Sequence, residues 1–108
     1  MKKFMVIGHA SQEAMANVTP KQFEKGMDIW NEWTSLLGEK LIDMGCPMFG
    51  GTKLTGKGNS EPSTKNVAGY GIIEAKSMEE ALTLCKSHPQ FSYGDDFYIE
   101  IHECRSME

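Results

Sequence analysis

The sequence predicts one α+β domain, an antiparallel sheet carrying two helices in the order βαββαβ, and three observations lead there. A chain of 108 residues can bury one core, and any division would leave pieces too small to fold. Segments rich in β-branched and aromatic residues alternate with two stretches of helical spacing. Each helical stretch opens on its own capping signal, Thr19-Pro20-Lys21-Gln22 and Ser77-Met78-Glu79-Glu80.

Lys3 to Ala10 reads as the first strand, with Phe4 and Val6 on one parity and Met5, Ile7 and His9 on the other. A Met-Lys-Lys start before an apolar run mimics a leader peptide. The run stops at Gly8-His9 without a cleavage site, so a strand is the better reading. After a polar connection, Thr19 caps the first helix, Pro20 takes the position that needs no N–H, and Gln22 completes the capping box. Phe23, Met27, Trp30, Leu37, Leu41 and Met44 then share one stripe. That stripe predicts a core-facing helix of roughly six to seven turns, ended by Gly45 and kept from resuming by Pro47.

Cys46 to Thr52 is the expected second strand, with Pro47 suited to an edge. A loop follows from Lys53 to Asn66, then a third strand from Val67 to Lys76. The second helix runs from its Ser77 cap through Ser87, and Pro89 drives His88 out of helical geometry. Gln90 to Asp96 forms a loop and Phe97 to Cys104 the last strand. The domain is thus residues 1–104, with Arg105–Glu108 a frayed tail. This order is the ferredoxin-like sandwich.

Composition narrows the function. The chain is 40% hydrophobic and 24% charged, with a formal net charge of −4. Nucleic-acid binding needs clustered Lys and Arg, and the only local density here is Lys53, Lys57 and Lys65. No stretch approaches the ~20 apolar residues of a membrane helix, so a cytoplasmic protein is expected. Cys46, Cys85 and Cys104 show no paired spacing and read as free thiols of a reducing compartment. His9, His88 and His102 lack metal-ligand spacing, and no cofactor is expected. Gly51 to Gly58 imitates a phosphate loop, but Gly58 stands where the Ser or Thr belongs and no helix follows.

The first and third strands are apolar on both parities, so neither offers a clean solvent face. Pairing the bare faces of two copies removes an apolar patch that a soluble monomer does not tolerate. A homodimer closing a barrel from two sheets is the expectation.

Topology also locates a site. Three long connections, Ala10 to Val18, Lys53 to Asn66 and His88 to Asp96, gather at one pole of the sandwich, where function usually sits. His9 ends the first strand there, with Tyr98 its expected neighbour, and His88, Tyr93, Asp95 and Asp96 approach from the adjoining loop. A histidine beside a phenol or carboxylate can move a proton, so His9, Tyr98 and Asp95 are the catalytic candidates. The other reading of His9 is a hydrogen-bonded histidine buried where the dimer closes. His88 and Tyr93 are candidate ligand contacts, although His88 also suits the C-terminal end of a helix. Glu100 faces either the barrel interior or solvent at a sheet edge. Trp30 lies on the core stripe; Trp33, off it, is the candidate pocket wall or dimer contact.

Particular residues then resemble a known family. Lys2-Lys3-Phe4-Met5-Val6-Ile7, a tryptophan-bearing helix ending in Gly, the run Thr64-Lys65-Asn66-Val67-Ala68-Gly69-Tyr70-Gly71-Ile72-Ile73-Glu74-Ala75, Ser77-Met78-Glu79-Glu80-Ala81-Leu82 and the closing Ile99-Glu100-Ile101-His102 resemble the YCII-related (DGPF) domain family. The resemblance covers nearly the whole chain and implies a dimeric α+β barrel, a superfamily of cofactor-free monooxygenases, isomerases and ligand-binding modules. Asn59-Ser60-Glu61-Pro62 replaces the signature Asp-Gly-Pro-Phe, and no histidine lies between Pro20 and Met44, so the family's His/Asp pair is not carried over. The expected function is small-molecule binding at the loop-rich pole, with cofactor-free proton transfer by His9. The alternative is a non-catalytic ligand-sensing or protein-assembly module.

Overall fold

Where the apolar strands and capped helices settle is seen in a computed structural model that describes residues 1–107. The elements are β1 (Lys2–His9), α1 (Gln12–Ala16), α2 (Pro20–Leu37), β2 (Leu41–Asp43), β3 (Thr52–Leu54), β4 (Ser60–Pro62), β5 (Val67–Ala75), α3 (Met78–Cys85) and β6 (Tyr98–Cys104), with short 3-10 turns at Gly38–Lys40 and Pro89–Tyr93. Four strands form one sheet in the order β2-β5-β1-β6, every neighbouring pair antiparallel. This is the ferredoxin-like α+β arrangement, with the hairpin β3–β4 inserted before β5.

Both capping signals form. Thr19 Oγ1 accepts the Gln22 N–H at 3.1 Å and Gln22 Oε1 accepts the Thr19 N–H at 2.9 Å, closing the box. Ser77 Oγ accepts the Glu80 N–H at 3.2 Å, while the Glu80 carboxylate reaches back one residue further, to the Lys76 N–H.

The core occupies one end of the sandwich. Phe4, Val6, Ile73 and Ala75 from the sheet pack against Trp33 and Leu37 of α2 and Ala81 and Cys85 of α3. Each large apolar side chain so buried contributes about 1.5–3 kcal/mol. Register then explains what happens at the other end. The sheet positions beneath α2 run Phe4 opposite Ile73, Val6 opposite Gly71 and Gly8 opposite Gly69. Side-chain volume therefore tapers to nothing along the strands, and a space opens below the first half of α2. A register shift lies between Gly8 and His9, which pairs with Val67 and leaves Ala68 as an extra residue on β5. On the opposite sheet face, Met5, Ile7, Tyr70 and Ile72 are half-buried, and the helices' buried residues pack against the other face.

Several expectations are corrected. Helix α2 stops at Leu37 and does not reach Met44, because Gly38 takes a positive φ of 54° with ψ −123°, open to glycine alone. The second sheet strand is Leu41–Asp43 and not Cys46–Thr52; Pro47 makes only an isolated bridge to Gly69. The loop expected from Lys53 to Asn66 contains the hairpin Thr52–Leu54 with Ser60–Pro62. The buried face of α2 is Gly26, Trp33 and Leu37, whereas Phe23 and Met27 are 58% and 43% exposed. After β6, Arg105 pairs with Glu103 at 2.7 Å, which leaves the expected frayed tail untested, and Glu108 lies outside the described residues.

Candidate functional site: an apolar cleft and a buried histidine on opposite sheet faces

Gly8 and Gly69 line a cleft of about 500 Å³, with the Gln90 side chain close above Gly8 and the Cys46–Pro47 backbone close above Gly69. Its floor is Val6, Gly8, Ala68 and Gly69; Phe23, Gly26, Met27 and Trp30 of α2 form the roof. Met15 and Val18 close one side, the segment Met44 to Phe49 another, and the turn carrying His88, Gln90 and Tyr93 the third. Two of the three expected polar connections thus contribute walls. The connection Lys53 to Asn66 contributes none, and the chain just after β2 takes its place.

Two close approaches hold the walls. Gly26 lets Tyr93 lie on the α2 backbone: a Cβ there would sit 2.1 Å from the Tyr93 hydroxyl. Gly45, at φ 67°, lets its segment run against β5, where a Cβ would fall 1.7 Å from the Tyr70 carbonyl oxygen. The Met48 N–H donates to the Ala68 carbonyl at 3.0 Å and ties that wall down.

His88 and Tyr93 are the titratable groups set deepest in these walls. Burial lowers the His88 ring from its ordinary 6.5 to about 4, so it is neutral near pH 7. Its Nδ1 accepts the Gln90 N–H at 3.0 Å, which leaves the ring proton on Nε2. The ring stands edge-on to Trp33, with centroids 4.6 Å apart. Burial also raises the Tyr93 hydroxyl above its usual value. Cys46 lines the cleft and is exposed, while burial pushes the Cys85 thiol in the core up to about 11. On the other sheet face the Tyr70 hydroxyl donates to Asp43 Oδ2 at 3.3 Å, and the Asp43 charge, with some burial, raises it.

His9 lies on the other sheet face from Gly8, as strand alternation requires. It is only 6% exposed, stacked on Tyr98 with centroids 4.9 Å apart and planes within 7°. Nδ1 meets the Lys65 carbonyl at 2.8 Å, and Nε2 lies 2.8 Å from Glu100 Oε1. A carbonyl only accepts, so Nδ1 carries a proton. A carboxylate also only accepts, so Nε2 has no hydrogen-bond partner unless a second proton lies between it and Glu100. Tyr98, Glu100 and the Lys65 carbonyl thus enclose the His9 ring.

The structure thus gathers His9, Tyr98 and Glu100 on one face and His88 and Tyr93 on the other. Asp95 joins neither; with Asp96 it borders a separate polar recess beyond Tyr93, of about 210 Å³. Trp33 is a correction. It is 2% exposed and its indole N–H donates to the Leu84 carbonyl at 2.9 Å, so it belongs to the core, and Trp30 supplies the cleft wall. The cleft residues that sequence reasoning passed over, Phe23, Met27 and Phe49, carry no polar signal; the glycines at Gly8 and Gly69 were the available clue. Among the described residues no three His, Cys, Asp or Glu side chains converge as metal ligands, and no helix is long and apolar enough to cross a membrane.

Among solved structures, the 5-chloro-2-hydroxyhydroquinone dehydrochlorinase TftG of Burkholderia phenoliruptrix AC1100, in complex with 2,5-dihydroxybenzoquinone, superposes with a TM-score of 0.53 at 16% identity, over 95% of this chain and 93% of that one. The likeness is one of fold. No family model and no curated protein matches the chain in sequence.

Proposed function

We propose that residues 1–104 are a homodimeric, cytoplasmic domain of the YCII-related kind that binds a small molecule in the cleft at the loop-rich pole. The observation that carries this reading is the cleft itself: about 500 Å³, a volume usual for small-molecule sites, with few polar groups in an apolar wall. A protein of the same fold, TftG, in complex with 2,5-dihydroxybenzoquinone, supports it. Dimerisation is supported by the half-buried Met5, Ile7, Tyr70 and Ile72 on the sheet face away from the helices. The test is a melting series against a metabolite library, on the native protein and on Trp30→Ala. A ligand at a hundred times its Kd stabilises by about 2.7 kcal/mol, and Trp30→Ala should lose that gain. A library that stabilises neither protein refutes the reading.

A second reading is favoured by the protons of His9. Tyr98 stacks on the ring and Glu100 meets Nε2, which suits cofactor-free acid–base chemistry at the uncovered sheet face. In this reading His9→Gln abolishes turnover of a substrate found by the screen and leaves the solution mass unchanged. If His9→Gln turns over the substrate as the native protein does, the acid–base role of His9 is wrong; if the native protein turns over nothing in the screen, the non-catalytic sensing or assembly module stands in its place.

A further inference from the structure

We infer that the cleft selects an uncharged aromatic molecule bearing an acceptor oxygen, met by His88, and discriminates against anionic and cationic analogues of the same shape. This rests on reading the cleft as the ligand site. None of the residues lining it is Asp, Glu, Lys or Arg. Asp43, next to the Met44 wall, is engaged with the Tyr70 hydroxyl, and Asp95 and Asp96 border the separate recess beyond Tyr93. A carboxylate or ammonium entering this wall would lose its water and find no counter-charge. Phe23 and Trp30 of α2, Phe49 and Phe97 instead offer flat apolar faces from three separate segments, and Met27 and Met44 adapt to shape.

The polar part of the wall is spare. Gln90 Nε2 already donates to the His9 carbonyl at 3.3 Å, and the Tyr93 hydroxyl is pressed on the backbone at Gly26. The His88 ring has its Nδ1 occupied by the Gln90 N–H, so what it offers a ligand is the Nε2–H donor. Burial keeps that ring neutral at pH 7, so it gives a hydrogen bond without a countercharge for an anion. The matching ligand group is a phenolic or carbonyl oxygen.

The test uses four probes on one ring system: 2-naphthol, 2-naphthoate, 2-naphthylmethylammonium and 2-methylnaphthalene. Binding is followed by calorimetry on the full chain. Location is read from protection of Cys46 against N-ethylmaleimide in a Cys104→Ser background, since Cys85 is buried. Naphthol is expected to bind and protect Cys46, with both charged probes weaker by roughly tenfold or more. In His88→Phe, which keeps a ring against Trp33, naphthol should weaken by roughly five- to tenfold and 2-methylnaphthalene should not change. Naphthoate or the ammonium binding as well as naphthol, with Cys46 protected, overturns the selection and leaves the cleft as a ligand site. Equal responses of naphthol and the hydrocarbon to His88→Phe overturn the role of His88. No probe protecting Cys46 overturns the cleft reading and the inference together.

Discussion

Replacing Gly45 by alanine should be among the most damaging single-methyl changes in this protein, and Gly50 provides the control that isolates why. Both glycines have positive φ, 67° and 59°. A Cβ at either position meets the left-handed penalty of roughly 1–2 kcal/mol. At Gly50 nothing lies within 4 Å of the new methyl, so that penalty is the whole effect. At Gly45 the methyl falls 1.7 Å from the Tyr70 carbonyl oxygen, a backbone atom that cannot swing aside. Relief requires the segment to move off β5, which breaks the Met48–Ala68 hydrogen bond and the Pro47–Gly69 bridge. Two backbone hydrogen bonds at about 1 kcal/mol each, added to the conformational term, make about 3 kcal/mol or more. At roughly 4–8 °C per kcal/mol for a domain of this size, Tm should fall by about 12 °C or more. Urea melts followed by the fluorescence of Trp30 and Trp33 measure both variants, and ligand binding should fail with Gly45→Ala alone. A Gly45→Ala protein within about 0.5 kcal/mol of Gly50→Ala would refute the close approach.

The tryptophans should separate by role: Trp33→Phe loses the bond to Leu84 and destabilises by about 1–3 kcal/mol in urea melts, and Trp30→Phe changes stability less and ligand affinity more. His88 makes stability fall with acid. Its folded value of about 4 lies below the ordinary 6.5, so the unfolded chain takes the proton first. The contribution is complete above about pH 6.5 and is lost as pH drops toward 4, by up to about 3 kcal/mol. Denaturation between pH 7.5 and 4.5 should show that slope, and His88→Phe should flatten it. Ile72→Lys, on the sheet face away from the helices, should halve the mass measured by light scattering while leaving far-UV circular dichroism unchanged.

The parts of this fold that are written locally could be read locally. The Thr19 and Ser77 caps depend on residues three apart, and both form as the spacing implies. The end of α2 depends on Gly38, which looks incidental because apolar residues continue at helical spacing through Leu41 and Met44. The hairpin β3–β4 has six exposed strand residues and so no apolar alternation to announce it. The candidate site shows the same limit in another form. A ligand cleft lined by Phe23, Met27 and Trp30 has the periodicity of a core, and sequence alone assigns those residues inward. What decides otherwise is the opposite wall, where Gly8 and Gly69 supply no side chain to fill the gap. Two of the three connections expected at the loop-rich pole line the cleft, and Lys53 to Asn66 does not. That His9 and the cleft belong to opposite faces follows from alternation, once the strand is known to continue through His9.

The extra residue on β5 has a consequence for how the cleft can change. Because Gly8 pairs with Gly69 and His9 with Val67, Ala68 is released from the β1 ladder, and its carbonyl is the one that anchors Met48. The aperture is therefore set by chain length in one strand as much as by the identity of any side chain. Deleting Ala68 would bring β1 and β5 into continuous register and withdraw the anchor from the Met44–Phe49 wall, widening the mouth in one step. On the proposed reading of the cleft as a ligand site, length at this point would set ligand size coarsely and substitutions along α2 finely.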